Sequence, residues 1–289
     1  MQVARFWATE KAVGLNSQGV EVETSAWGWS SDSLEEAQAR AKATAASVVR
    51  WLSSDRDESL PSQSEYQYLV DRPPCEQLLE EFQDDAGETA ALITRNKYGS
   101  LVLNCRDLMF VDVDFPSPSF WRVLWCKFRG QPVRPTPKEA AARERVQQWR
   151  LANRQYSTRL YETAAGLRLI IVDRMLSAES DESRKILREL GSDPLYQKLC
   201  QTQSCFRARL SPKPWRLGVA APPKRFPFFA NGDEGGFRQW IETYEQASAS
   251  AASCKLIDVS GPPRVDPALA PLLELHDAMT KATSGLRLA

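Results

Sequence analysis

The run Leu108-Met109-Phe110-Val111-Asp112-Val113-Asp114 narrows the possible folds more than any other stretch of this chain. It is apolar throughout and ends in two aspartates at i and i+2. That spacing puts both on one face of a strand, with Cα atoms roughly 6.5–7 Å apart. Two carboxylates at the end of a buried strand lose hydration and repel each other. They are tolerable when metal ions or arginines lie against them. The chain must therefore build a sheet, cover it, and bring cations to the end of this strand.

The flanking sequence supplies more strands and the helices to cover them. Val3 to Thr9 reads as a short strand, and Val20, Val22, Thr24 and Ala26 alternate into a second that reaches Trp27-Gly28-Trp29. Ser33-Leu34-Glu35-Glu36 is a capping box opening a helix, with Leu34, Ala37, Ala41, Val48, Val49 and Leu52 on its apolar face. Residues 53–64 form a polar linker. Pro73-Pro74 is expected to open a short helix to about Phe82. Strands follow over 90–95, 98–104 and 108–114, joined by turns at Asn96-Lys97 and Cys105-Arg106-Asp107. After Pro116 the chain turns aromatic (Trp121, Trp125, Phe128) and then basic. Thr136-Pro137-Lys138-Glu139 starts a helix to about Tyr156. A hairpin over 160–163 and 167–173 turns at Ala164-Ala165-Gly166. Helices end at Leu190 before Gly191 and run from Asp193-Pro194 to about Thr202. A strand over 205–210 is broken by Ser211-Pro212-Lys213-Pro214, and helices over 236–247 and 271–283 close the chain. Hairpins mixed with helices give the α+β class, with a mixed or antiparallel sheet and packed helices. The segments fall into a β-β-α unit over 1–60, an α+β core over 61–220 and a helical segment over 221–289, or into one domain.

Composition excludes several classes. No stretch approaches the ~18 consecutive apolar residues that span a bilayer, and the first residues lack the apolar core of a signal peptide. The expectation is a cytoplasmic protein without membrane contact. The six cysteines form no C-x-x-C pair and the chain has one histidine, so neither a zinc site nor a disulfide framework is expected. Formal net charge is zero, but it is unevenly spread. Residues 1–90 carry 7 Lys/Arg against 17 Asp/Glu, residues 122–174 carry 12 against 4, and residues 205–225 carry 6 against none. A basic face from the middle of the chain suits phosphates.

Three constellations carry candidate chemistry. Asp112 and Asp114 are the candidate catalytic pair and the candidate ligands for Mg²⁺ or Mn²⁺, since paired carboxylates can hold divalent cations that align phosphoryl transfer. The alternative is that both acids pair with nearby arginines. In Tyr161-Glu162-Thr163-Ala164-Ala165-Gly166-Leu167-Arg168, the small residues at the turn admit a ligand close to the backbone, and Arg168 offers a planar fork to phosphate or to Asp112. Asp173 is either a third metal ligand or the polar end of a strand. In Cys205 to Arg216, Arg207 and Arg209 share a strand face, and Lys213 and Arg216 follow around Trp215 on a proline-stiffened loop. Cations interleaved with an aromatic can hold a phosphate chain and stack a base; the plainer role is a charged edge strand. Thr94 to Ser100 reads as a hairpin turn that can also touch a ligand, Trp27-Gly28-Trp29 as core packing, and His276-Asp277 as structural. No Walker loop or dinucleotide glycine fingerprint is present.

Taken in order, these segments resemble the archaeo-eukaryotic primase-polymerase superfamily. Phe110-Val111-Asp112-Val113-Asp114 resembles its D-x-D strand. Thr163-Ala164-Ala165-Gly166-Leu167-Arg168 resembles its G-x-H-like motif, with arginine in place of histidine, and Arg207 to Lys213 resembles its basic stretch. The similarity covers about residues 90–220. It implies a primase-like (RRM-like) core, a nucleotide or nucleic-acid partner, and metal-dependent nucleotidyl transfer through Asp112 and Asp114. Arg168, Arg207, Arg209, Lys213 and Arg216 would then hold phosphates. A non-catalytic binding module of the same fold, with Arg168 and Arg207 neutralising the two acids, is the alternative. A third is a D-x-D glycosyltransferase, whose usual preceding nucleotide-binding domain the first hundred residues do not resemble.

Overall fold

The computed structural model describes Met1, residues 4–53, 73–115 and 136–224, Phe226, Phe228 and residues 234–289. The polar linker falls almost wholly outside these residues, as do the aromatic and basic stretch after Pro116 and Cys126. The class is α+β, as expected, with antiparallel sheets.

The chain opens with a hairpin of β1 (Phe6–Leu15) and β2 (Glu21–Ser30), paired Phe6 to Ser30 through Leu15 to Glu21. Helix α1 (Leu34–Leu52) lies on one face of it. Ser33 caps the helix by accepting from the Glu36 amide at 3.1 Å. The contact face is built of small residues, Ala37, Ala41 and Ala45, all fully buried. Gly28 makes the approach possible, because a Cβ there would lie 2.1 Å from the Ala37 carbonyl oxygen and 2.3 Å from the Ala41 nitrogen. Trp27-Gly28-Trp29 is therefore packing material, and Trp7 meets Trp27 and Phe226 edge to face and Trp29 at a tilt.

Two four-stranded sheets form the main body. One runs β3 (Gln77–Gln83), β4 (Thr89–Arg95), β5 (Leu101–Cys105), β9 (Phe206–Arg209). The other runs β10 (Cys254–Ser260), β7 (Thr158–Thr163), β8 (Gly166–Ile171), β6 (Met109–Asp114). The expected helix after Pro73-Pro74 is instead β3. Its pairing with β4 shifts register between Leu78 and Glu80 and again between Phe82 and Gln83. These bulges break the two-residue alternation and leave a spacing that imitates a helix. Strand β10 lies in the C-terminal segment read as helical. It also carries a bulge, between Leu256 and Asp258, and Ile257 and Val259 face solvent.

Helices α2 (Pro137–Ala152), α3 (Asp181–Leu190), α4 (Pro194–Gln203), α5 (Glu234–Ala249) and α6 (Ala270–Thr280) complete the fold. Thr136 caps α2 as its capping box predicts, accepting from the Glu139 amide at 3.0 Å. One core joins both large sheets to α2, α3 and α6, with Phe110, Leu103, Leu169, Ile170, Phe206 and Leu187 fully buried in it. A separate aromatic stack of Phe228, Phe237, Trp240 and Tyr244 pins α5 to the turn after β4. There Gly99, at φ +84°, would put a Cβ 2.2 Å from the Trp240 ring. No helix among the described residues is long and apolar enough to cross a membrane.

Edge strands β6 and β9 lie side by side although they belong to different sheets. The Tyr196 hydroxyl from α4 spans them, 3.0 Å from the Phe110 carbonyl and 3.1 Å from that of Arg207. The candidate site opens along this seam.

Candidate functional site

Cross-strand pairing sets Asp112 of β6 directly opposite Arg168 of β8. The guanidinium grips the carboxylate with two parallel bonds, Nε to Oδ1 at 2.7 Å and Nη2 to Oδ2 at 3.0 Å. Arg168 is buried, with its side chain 4% exposed, against 34% for that of Asp112. Burial works against the arginine charge, but the adjacent carboxylate outweighs it and holds the pKa above its usual value. The third nitrogen, Nη1, donates to the Arg209 carbonyl at 3.1 Å and lies 3.2 Å from His276 Nε2.

That last contact fixes the histidine. A guanidinium has only donors, so Nε2 must accept, and the ring proton sits on Nδ1. It points at Asp277 Oδ1, 2.9 Å away. Asp277 also accepts from Tyr161 at 2.7 Å and from Arg159 at 2.6 Å. Burial opposes its charge, but the bonds from His276 and Tyr161 prevail and keep its pKa below the usual range. His276 is fully buried between the Phe110 and Tyr161 rings. Burial first, and then the Arg168 charge, lower its pKa against the pull of Asp277. The result is one buried chain: Asp277, neutral His276, Arg168, Asp112. His276 is structural, as the sequence suggests, but its connection to Arg168 is new.

Asp112 forms one side of a cleft of about 280 Å³. Asp114 lies two residues on, and its pKa is raised by lost hydration at the cleft and by the Asp112 charge, against the pull of Lys213 and Arg209. Arg209, Lys213 and Arg216 line the opposite side, with Asp193, the N-cap of α4, and Ala289 also in the lining. Counting side chains, the lining holds four cations (Arg168, Arg209, Lys213, Arg216) against three carboxylates (Asp112, Asp114, Asp193). Removing the Arg168–Asp112 pair leaves three cations against two. All three have lowered pKa values, burial being the largest cause, with mutual repulsion adding to it at Arg209 and Lys213. None of the three forms an ion pair among the described residues.

Six of the seven candidate site residues from the sequence, Asp112, Asp114, Arg168, Arg209, Lys213 and Arg216, thus meet at the cleft; Arg207 does not. It shares a strand face with Arg209, but its guanidinium is bound to Glu76 and to Gln203, the latter at 3.0 Å. Glu76 is tied in turn to Thr94 at 2.5 Å. Arg207 therefore neutralises Glu76, not Asp112 or Asp114. Asp173 is also elsewhere, held by Arg174 at 2.9 Å, Arg264 at 3.1 Å and the Ser157 amide at 3.0 Å. Sequence reasoning missed Ser192, whose hydroxyl bonds the Asp112 carbonyl at 3.1 Å, and the bridging role of Tyr196. Neither lies in a recognisable motif.

The fit to Mg²⁺ or Mn²⁺ is thin. Asp112 is already bonded at both oxygens to a guanidinium, which also repels a cation, and this leaves Asp114 and Asp193 as the other side-chain carboxylates of the cleft lining among the described residues. Among the described residues, no group of three or more His, Cys, Asp or Glu is placed to hold a metal ion. Nor do the thiols near the seam offer a nucleophile, since burial pushes Cys200 up to about 12 and Cys205 up to about 11.

No protein-family model matches the chain, and comparisons with curated proteins and with solved structures give no match. The resemblance to the primase-polymerase superfamily therefore rests on the short motifs quoted above.

Proposed function

We propose that the cleft binds the phosphates of a nucleotide-class ligand, with Asp112 serving as the fixed counter-ion of Arg168. The observation that carries this reading is the convergence of Arg209, Lys213 and Arg216 on one cleft with no ion-pair partner among the described residues. Crowded, partly buried cations are held in an unfavourable state that an anion relieves. Arg209 and Arg216 bring planar forks suited to phosphate oxygens, and Lys213 brings a point charge. The motif resemblance favours a nucleotide as the phosphate carrier. The test is calorimetric titration with pyrophosphate and with a nucleoside triphosphate at low ionic strength. Lys213→Ala and Arg216→Ala should each weaken binding about tenfold, the scale of one charge-assisted hydrogen bond. Absence of binding to the wild-type chain refutes the proposal.

One observation favours a second reading, metal-dependent nucleotidyl transfer. Asp114 projects beside Asp112 with a pKa that stays raised despite the pull of Lys213 and Arg209, which a divalent cation would relieve. Titration with Mn²⁺ distinguishes the two. Binding that disappears in Asp114→Asn supports the metal reading, and no heat at all removes it.

A further inference from the structure

Beside the cleft stands a pair of aromatic rings that the fold does not bury. Trp215 is 54% exposed and Tyr98 is 40% exposed. They meet edge to face, with centroids 5.4 Å apart and planes at 86°. Each has a lysine over it, Lys213 Nζ at 5.3 Å from the Trp215 centroid and Lys97 Nζ at 5.1 Å from that of Tyr98. Lys213 also lines the cleft, and Arg216, the residue after Trp215, lines it as well. The rings and the phosphate cleft are thus parts of one continuous surface.

The two loops that carry these rings are braced against each other. In the turn after β4, Asn96 Oδ1 accepts from the amides of Tyr98 and Ser100 at 3.0 and 3.1 Å, and Arg95 donates to the Gly99 carbonyl at 3.0 Å. Ser100 donates to the Pro212 carbonyl at 3.2 Å, and the Leu101 amide donates to Ser211 at 2.8 Å. Tyr244 seals the junction with a bond to the Pro212 carbonyl at 2.6 Å. Pro212 and Pro214 stiffen the second loop further. Large apolar rings held out to solvent on a cross-braced support are arranged to receive something flat, and little ordering remains to be done on binding.

We infer that Tyr98 and Trp215 form a base-stacking platform, and that the site takes single-stranded nucleic acid, its phosphates in the cleft and a neighbouring base on the platform. This rests on the phosphate-binding reading above and extends it from a mononucleotide to a strand. Lysines beside the rings fit a backbone that carries a negative charge at each nucleotide. An aromatic face stacks any base, so the platform predicts weak sequence preference. A duplex keeps its bases stacked internally and cannot supply one.

The test is fluorescence anisotropy with a labelled oligothymidylate, its labelled duplex, and unlabelled pyrophosphate as competitor. The wild-type chain should bind the single strand more tightly than the duplex, and pyrophosphate should compete. Trp215→Ala should weaken oligonucleotide binding about 5- to 150-fold, the loss of one stacked base, with pyrophosphate affinity unchanged. Trp215→Phe should retain most of the binding. Unchanged melting temperature excludes misfolding, and Tyr98→Ala gives a second, independent reading. Equal affinity for duplex, or no effect of Trp215→Ala on strand affinity, overturns the platform. Pyrophosphate binding without oligonucleotide binding also overturns it while sparing the cleft. Oligonucleotide binding that depends on Trp215 but ignores pyrophosphate and Lys213→Ala sinks the cleft reading instead.

Discussion

Lowering the pH from 7.5 to 5 should destabilise this protein through a single ring. His276 is the one histidine in the chain, it is fully buried, and its pKa is lowered from an ordinary value of 6.5. The unfolded chain takes up this proton near 6.5 and the folded chain does so only at lower pH. The stability contributed by the neutral ring is therefore fully present above 6.5 and is lost as pH falls from there toward the folded value. The limiting slope, for a ring that stays neutral while folded, is about 1.36 kcal/mol per pH unit. That slope is the ceiling on the loss as pH falls below 6.5. Carboxylates with lowered values, such as Asp277 and Glu81, act mainly below their ordinary 3.8 and 4.5, so they leave this window largely to His276. Asp114 has a raised pKa and opposes the loss slightly, since the folded state takes up its proton first. The assay is urea denaturation at intervals across the range, on the wild-type chain and on His276→Gln, which keeps an acceptor for Arg168. The variant should be less stable at pH 7.5 by about 1–3 kcal/mol, because Asp277 loses a buried bond. It should also lack the wild-type decline down to pH 5. A flat wild-type profile, or a variant that keeps the wild-type slope, refutes the assignment of a neutral buried ring.

Two further substitutions probe the architecture. Asp112→Ala should cost about 3 kcal/mol in urea denaturation, the low end for breaking a buried pair, since the Asp112 side chain is itself 34% exposed; Asp114→Asn should cost nothing measurable, and equal losses would show that the two acids are not distinguished as described. Gly28→Ala should destabilise by about 1–3 kcal/mol through overpacking against α1, and a neutral result would mean that the helix can back away from the hairpin.

Much of the fold was legible wherever period and punctuation agreed. Strand β6 announced itself by its apolar run, β7 and β8 by the small-residue turn at Ala164-Ala165-Gly166, and α1 and α2 by Ser33 and Thr136 with a glutamate three residues on. Strands β3 and β10 were illegible for one shared reason. Each carries a bulge that shifts which residues face inward, so neither alternates cleanly. The candidate site was readable as composition and not as pairing. The sequence named Arg168 as a possible partner of Asp112 and offered Arg168 and Arg207 together as neutralising the two acids. Only the register of β6 against β8 gives that place to Arg168, and only the position of Glu76, in a segment without pattern, removes Arg207. The His276 contact joins residues 108 positions apart in sequence, a separation that no local motif encodes.

The seam bridged by Tyr196 has a mechanical consequence. Asp112 and Asp114 are anchored in one hydrogen-bonded lattice, whereas Arg209 and the loop bearing Lys213 and Arg216 are anchored in another. Sliding one wall past the other breaks a phenol contact, the Arg168 bond to the Arg209 carbonyl and the Ser253 bond to the Leu210 carbonyl, not a row of ladder rungs. A ligand gripping both walls would act as a clamp across that joint, and its arrival should be felt first as slower amide exchange at Arg207, whose N–H faces the Tyr196 oxygen at 3.3 Å.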